Sequence, residues 1–272
     1  MTGTRARLWT VVQRELRGAV RTRMYLFLAL AFTGVSFGVA RAGGGPAGGY
    51  VPTVVDVLLV VEVLVPTVAF AVGYRAIVDD AVRGELDVLQ TYPVPTWAYV
   101  TGVFVGRAIV LLAVTLVPLT LLGVHVATTA GPETTVFASH RGVDSAFLYV
   151  RFLTLTALLA LVSLSIALAL SAVAGSGRSA ILLGVAGLLL VVVGTDVALF
   201  GALDAGLVSE GGLGAVLALS PTSAYRGLVF ETVLYVAFEG RSGFVSPILA
   251  ATSLLGWIAL SLAGATAAVQ YR

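Results

Sequence analysis

The sequence predicts an all-α integral membrane protein, and two observations on composition support that prediction. Hydrophobic residues make up 58% of the 272 residues, and the mean hydropathy is +1.02. Charged residues make up only 11%, whereas a soluble domain carries roughly a quarter. A water-soluble core of this size cannot bury so much apolar surface, so we expect lipid to surround most of the chain.

Several stretches are long and apolar enough to be spanning helices, each of which needs about 20 residues. The six predicted spans are 24–40, 52–74, 108–127, 147–174, 180–201 and 246–269. The sequence shows no repeat with a period of about 20–50 residues and no second, soluble region. Residues 1–272 are therefore predicted to form a single transmembrane domain.

The segment before the first span, "LWTVVQRELRGAVRTR", has the pattern of an amphipathic helix. Apolar residues line one helical face and arginines the other; the apolar ones are Leu8, Val11, Val12, Leu16 and Val20. Such a helix lies on the inner leaflet, where each arginine near anionic lipid contributes about 1 kcal/mol. The alternative, that residues 1–42 are a cleaved signal peptide, is less favoured because the apolar run is long.

The distribution of arginine predicts the orientation. When both termini are cytoplasmic, the inner segments hold eleven of the sixteen basic residues, all of which are arginine. The five outer ones are Arg41, Arg141, Arg151, Arg226 and Arg241. This bias favours cytoplasmic termini and an inner loop at 75–107, with outer loops at 128–146 and 202–245.

The inner loop carries an unusual stretch, "VDDAVRGELDVLQTYPVPTWAYV", at residues 78–100. Its apolar residues recur at helical spacing and predict an amphipathic helix with one apolar stripe, made of Val78, Val82, Leu86 and Leu89. Gly84 permits a break or a close approach, and Pro93 and Pro95 end the helix sharply. A short helix with a stiff return to the membrane is suited to docking against another protein.

The outer loop contains a further apolar helix at residues 221–238, which Ser220 and Pro221 introduce. At about 17 residues it is too short to cross a membrane comfortably. We therefore predict a re-entrant helix at the outer face. The alternative is a seventh span, which would place the C-terminus outside.

Two carboxylates fall within the second predicted span. An ionised Asp56 or Glu62 costs several kcal/mol there unless it is paired or hydrated. Their six-residue spacing puts them about 120° apart, so they do not share one face. Both are candidates for a translocation path, with Glu62 the stronger because it is nearer the middle; a structural pairing or a protonated state is the alternative. Arg107 and Arg151 are expected to anchor the helices at the interfaces.

Several functions are excluded by composition. The chain has no cysteine and no lysine, so it offers neither thiolate chemistry nor the lysine of a phosphate-binding Walker loop. His125 and His140 are too few for a convincing metal site. No catalytic residues, metal or cofactor are predicted, and nothing points to nucleic acid.

The stretch from Gly73 to Arg107 resembles the coupling segment of export permeases of the second type of ATP-binding-cassette (ABC) transporter. Residues 83–86, Arg-Gly-Glu-Leu, stand at that family's Gly-Thr-Leu position, and Pro93-Val94 at its Pro-Val. Gly102 and Gly106-Arg107 stand at its later glycines. Glu85 replaces the threonine, Pro95-Thr96 the usual Ser-Arg, and Val103 the usual lysine.

Three further stretches resemble the same family. "VVQRELRGAVRTRMYLFLAL" is similar to its N-terminal elbow helix, and "LVPTVAFAVGYRAI" to its second span. "ALSPTSAYRGLV" resembles the Asn-Pro-x-x-Ala-Tyr-Arg stretch of the branch involved in copper-site maturation, the NosY-like permeases.

The resemblance implies a permease subunit in a prokaryotic plasma membrane that forms a homodimer and takes energy from a separate ABC ATPase. Membrane lipid is the other expected partner. The residues that would couple the two subunits are Asp79, Asp80, Arg83, Gly84, Glu85, Leu86, Leu89 and Pro93. The alternative is a secondary transporter or channel that uses Glu62 as a proton or ion site.

Overall fold

The computed structural model describes the greater part of the chain: residues 2–86, 95–130, 144–206, 213–237 and 245–271. Every regular element in these residues is a helix. Six stretches of helix are long and apolar enough to cross a membrane. The prediction of an all-α membrane protein with six spans is therefore confirmed.

The N-terminal half begins with a helix that precedes the spans. Its elements are α1 (Thr2–Arg21), α2 (Arg23–Gly43), the short α3 (Gly45–Gly48), α4 (Tyr50–Gly73), the short α5 (Val78–Val82) and α6 (Thr96–Thr129). The first three spans are α2, the stretch from α4 through α5, and α6. The elbow position expected for α1 on the membrane stays a prediction.

The C-terminal half contains the other three spans. Its elements are α7 (Ala146–Val173), α8 (Gly177–Leu189), a π-helical segment (Leu190–Gly194), α9 (Thr195–Asp204), α10 (Leu213–Leu219), α11 (Pro221–Thr232), a 3₁₀ turn (Leu234–Ala237) and α12 (Pro247–Gln270). The spans are α7, the run from α8 to α9, and α12.

The third span is much longer than the sequence indicated. It was expected to begin at residue 108, but α6 begins at Thr96, directly after Pro95. Gly102 and Gly106, which fall in the predicted inner loop, instead make room for α1. A β-carbon on Gly102 would lie 2.8 Å from the Cβ of Val11, and one on Gly106 would lie 2.6 Å from the Cβ of Glu15. The helices pack closely because both positions lack a side chain.

Arg107 is bonded within the subunit, and its expected place at a membrane interface stays a prediction. Its Nε donates to Glu15 Oε2 at 3.0 Å, and its Nη1 donates to the carbonyl oxygen of Val72. These bonds join α6 to α1 and to the end of α4. The charge of Arg107 is thus satisfied inside the subunit.

Helix α7 is the central element of the fold and packs most extensively against α4 and α12. Its buried side chains include Phe152, Leu159, Leu164 and Leu168. Helix α11 packs against α12 and α7. With 12 residues, α11 is too short to span a bilayer, and no seventh span occurs among the described residues. Its re-entrant placement stays a prediction.

Candidate functional site: the coupling segment and an intramembrane ion cluster

The coupling segment follows α4 after a short turn and is tied to the central helix. The hydroxyl oxygen of Ser171 on α7 accepts hydrogen bonds from the backbone N–H groups of Ile77, at 3.0 Å, and Val78, at 3.2 Å. These bonds satisfy donors at the start of α5 that a helix leaves unpaired. These two hydrogen bonds therefore attach the start of the coupling segment to α7.

The predicted single stripe of Val78, Val82, Leu86 and Leu89 is wrong for the residues that the structure describes. Helix α5 ends at Val82, and Gly84 follows with a φ of +73°, a left-handed conformation that glycine adopts without strain. Because of this break, Val82 is 65% exposed whereas Leu86 is 6% exposed and packs in the core. Leu89 and Pro93 lie outside the described residues.

The inner face of the segment is held by α1 and α6. Asp80 is buried; it accepts a hydrogen bond from Arg14 Nη2 at 2.6 Å and another from the Tyr99 hydroxyl at 2.7 Å. Two of the predicted coupling residues, Asp80 and Leu86, thus face the subunit itself. Their contacts position the segment.

Arg14 is the centre of this attachment. Besides Asp80 it contacts Glu15 at 2.9 Å and Glu85 at 3.0 Å. Burial alone would lower the pKa of Arg14, but the neighbouring carboxylates of Asp80 and Glu15 outweigh that effect and raise it above its ordinary value. The guanidinium therefore stays charged and links α1 to both sides of the turn.

The opposite face of the segment is open. The side chains of Arg83 and Glu85 are 62% and 42% exposed, and their charged groups are 3.8 Å apart. Arg83 lies equally far from Asp79, whose other oxygen accepts from Arg75 Nε at 2.9 Å. Exposed pairs at such distances contribute little to stability. Val82, Arg83, Gly84 and Glu85 therefore form a largely exposed surface, which we call the exposed coupling face; of these residues, Glu85 also accepts a hydrogen bond from Arg14 at 3.0 Å.

A second group of charges lies within the spans. Glu62 on α4 is 3% exposed and is bound by Arg226 on α11, 164 residues away. Arg226 Nε donates to both carboxylate oxygens, at 2.8 and 3.1 Å, and Nη2 donates to Oε2 at 2.9 Å. A planar guanidinium on a carboxylate is the strongest form of such a pair.

Asp196 on α9 completes this group. Its carboxylate lies 3.6 Å from Arg226 Nη1 and accepts hydrogen bonds from the hydroxyls of Ser220, at 3.2 Å, and Ser223, at 2.5 Å. We refer to Glu62, Asp196, Ser220, Ser223 and Arg226 as the ion cluster. It joins the second span, the fifth span and α11.

The fifth span is irregular just before Asp196. Residues Leu190–Gly194 form a π-helical turn, a geometry that is rare and often found at functional sites. The carbonyl oxygen of Val191 accepts a hydrogen bond from the Thr222 hydroxyl at 3.1 Å. The start of α11 thus compensates for the irregular backbone that precedes Asp196.

A comparison of the sequence with protein families identifies the family of this chain. The profile described as ABC-2 family transporter protein matches residues 9–271. The chain belongs to this family. The resemblance noted in the sequence is thereby confirmed, and the protein is a multi-pass transmembrane permease component of an ABC transporter.

Two curated relatives are similar over nearly their whole length. The probable ABC transporter permease protein NosY of Pseudomonas aeruginosa is 31% identical, covering 97% of this chain and 96% of the relative. The protein of the same name from Stutzerimonas stutzeri is 28% identical, covering 94% of this chain and 95% of the relative.

The ABC-2 permease does not bring its two candidate carboxylates together. Asp56 accepts a hydrogen bond from the backbone N–H of Gly45 in α3 at 2.9 Å, at the end of α4 away from the coupling segment. Gly45 has no space for a side chain, because a β-carbon there would lie 2.5 Å from Asp56 Oδ2. Asp56 therefore holds α3 against the span, whereas Glu62 belongs to the ion cluster.

Sequence reasoning predicted only Glu62 of the ion cluster in the permease and missed its two other charged members, Asp196 and Arg226. A signal existed for Arg226, because a carboxylate in a span needs a cation and this arginine lies in the apolar outer helix.

Arg151, expected at an interface, donates to the Thr232 carbonyl at 3.1 Å and lies 4.6 Å from the Phe147 ring centroid. His125 packs against Phe37; His140 lies outside the described residues.

Proposed function

We propose that this permease exports a substrate across a prokaryotic plasma membrane and that a separate ABC ATPase drives it by docking on the exposed coupling face. One observation carries the proposal: the segment after α4 has one face bound to α1, α6 and α7, and another with exposed apolar and charged groups. A docking surface needs an apolar centre with a charged rim, which Val82 supplies with Arg83 and Glu85.

The remaining coupling residues have positioning roles in this proposal. Asp80 and Leu86 anchor the segment, and Asp79 holds Arg75 across one turn. Gly84 allows the partner to approach the backbone closely. Leu89 and Pro93 are proposed to continue the contact and to stiffen the return to α6. The chain itself contributes no ATP hydrolysis, since it has no Walker lysine.

Movement of the ATPase can reach the outer side through the second span. Helix α5 follows α4 after a short turn, and α4 carries Glu62, which binds Arg226 of α11. A displacement of α5 along the axis of α4 is therefore passed to α11 through a buried ion pair. We propose on this basis that the ion cluster borders the translocation path.

A secondary transporter based on Glu62 is not favoured. The chain belongs to a family of ABC transporter permeases, and Arg226 occupies both oxygens of the Glu62 carboxylate. A proton or ion site requires that carboxylate to be available to the transported ion.

Charge reversal at Arg83 tests docking. Arg83→Glu should weaken co-purification of the ATPase by about fivefold, with the loss growing at low salt, because the exposed charge then repels an acidic rim on the partner. The permease is purified from its own membranes, and the bound ATPase is identified by its Walker-motif peptides. Arg178→Glu, an exposed arginine elsewhere on the predicted cytoplasmic side, is the control. Equal recovery with all three proteins at every salt concentration would contradict docking at this face.

We also propose a homodimer whose interface includes the second and fifth spans. These two spans are neighbours, and each has exposed apolar side chains. Leu59 on α4 is 69% exposed, and Leu182 on α8 is 67% exposed. Most soluble homo-oligomers are closed by a two-fold axis, so that one patch meets its own copy.

A cysteine at position 59 tests this interface, because the chain has no native cysteine. Leu59→Cys should give a cross-linked dimer in membranes treated with a short bifunctional thiol reagent. Leu260→Cys on α12, where the native side chain is 73% exposed, should stay monomeric. Cross-linking at position 260 with none at 59 would place the interface elsewhere.

A further inference from the structure

A basic groove lies between α1 and the start of α6. It has a volume of about 480 Å³, and its lining includes Gln13, Arg14, Arg17, Gly18, Arg21 and Tyr99. The three arginines share one side of α1, because they are three to seven residues apart on a helix. The groove shares no residue with the ion cluster, and it adjoins the exposed coupling face through the bond from Arg14 to Glu85.

Two of these arginines are not used by the fold. The charge of Arg14 is matched by Asp80, Glu15 and Glu85. Arg17 and Arg21, one turn apart, are exposed and pair with no carboxylate among the residues that the structure describes. The groove therefore presents two adjacent uncompensated guanidinium groups, an arrangement that recognises phosphate through paired N–H donors.

The position of the groove along the chain indicates its depth in the membrane. The first span begins at Arg23, and its outward side chains Leu26 and Phe27 are 61% and 68% exposed. Those exposed apolar groups face lipid in a spanning helix. Arg21, only two residues before the span, must then lie at the level of the lipid headgroups, and Arg17 follows one turn back along the interface.

We propose that this groove binds the phosphate headgroup of an anionic phospholipid. Arg17 and Arg21 hold the phosphate, and Gly18 between them leaves the groove open. The exposed Trp9 and Val20 lie one beside the other around the axis of α1 and next to Arg17, and in this proposal they lie in the apolar part of the interface beside the acyl chains. The lipid thus fixes α1, which is bound through Arg14 to the coupling segment.

The test uses the purified full-length permease in neutral detergent, without any ATPase. Its probe is dioctanoyl phosphatidylglycerol, with dioctanoyl phosphatidylcholine and inorganic phosphate as comparisons, and binding is followed by native mass spectrometry. We expect wild type to retain phosphatidylglycerol in preference to phosphatidylcholine. Arg17→Gln/Arg21→Gln should weaken that retention by about fivefold for each arginine removed. The control Arg178→Gln should behave as wild type.

Gly18→Leu distinguishes a groove from diffuse attraction. A β-carbon at Gly18 meets nothing within 4 Å, so a leucine fills the groove while every charge is kept and the helix is favoured. It should reduce phosphatidylglycerol retention as strongly as the double substitution. Unchanged retention in Gly18→Leu would overturn the site in favour of general surface charge.

Two other outcomes would also overturn the proposal. Equal competition by inorganic phosphate would mean that the groove takes a free anion. Unchanged lipid retention in the double variant, together with loss of ATPase recovery when the same variant is purified from its own membranes, would mean that the arginines face a protein partner.

Discussion

Arg226→Ala should lower the free energy of unfolding by about 3–5 kcal/mol, the largest effect expected of any single substitution in the ion cluster. Removing this guanidinium leaves two carboxylates, on Glu62 and Asp196, with no cation. Their side chains are only 5% and 19% exposed, so water cannot replace the lost partner. The measurement is the folded fraction of the purified permease against the mole fraction of sodium dodecyl sulfate.

Two further variants sharpen this result. Glu62→Gln should cost less, because Arg226 keeps Asp196 at 3.6 Å and the amide oxygen still accepts one hydrogen bond. Arg151→Ala is the control, since it removes an arginine whose described partners are a carbonyl and an aromatic ring, and its cost should be about 1 kcal/mol. Arg226→Ala costing no more than Arg151→Ala would show that the cluster contributes nothing special to stability.

Val82→Asp should abolish ATPase co-purification and transport while the permease remains folded. The side chain is 65% exposed, so the fold loses little when it becomes charged. A docked partner would instead have to bury that carboxylate among apolar groups, and an unpaired buried charge disrupts an interface. The readouts are recovery of the ATPase with the purified permease and the elution volume of the permease alone.

Leu86→Asp is the matched comparison, four residues further along the same stretch. Leu86 is 6% exposed and belongs to the core, so an aspartate there should destabilise the subunit itself and alter its elution. Full ATPase recovery with Val82→Asp would refute docking at this face, whatever Leu86→Asp does.

Hydropathy was sufficient for the spans because burial in lipid depends on segment composition alone. Five of the six predicted spans match the helices to within a few residues. The third was predicted to begin twelve residues too late, because Gly102, Gly106 and Arg107 were placed in the inner loop. The roles of these residues become visible only in the folded structure, where the two glycines allow α1 to pack closely and the arginine donates to Glu15.

Contacts between distant segments could not be predicted from local patterns. The partner of Glu62 is 164 residues away, and periodicity carries no information about such pairs. The prediction for the coupling stretch was wrong for a local reason. Helical spacing put Val82 and Leu86 on one stripe, but the left-handed Gly84 between them turns the chain, so that Val82 is exposed and Leu86 is buried. A glycine in a periodic pattern allows a break without requiring one.

The π-helical turn at Leu190–Gly194 has a consequence for how the fifth span can change shape. A π turn holds one more residue than an α turn, and each residue advances an α-helix by about 100°. Conversion of this turn to α geometry would rotate α9 about its own axis relative to α8. Such a rotation would swing Asp196 away from Arg226 and release the hydroxyls of Ser220 and Ser223. The π turn is thus positioned where the geometry of one turn of backbone determines which side chains of α9 face α11.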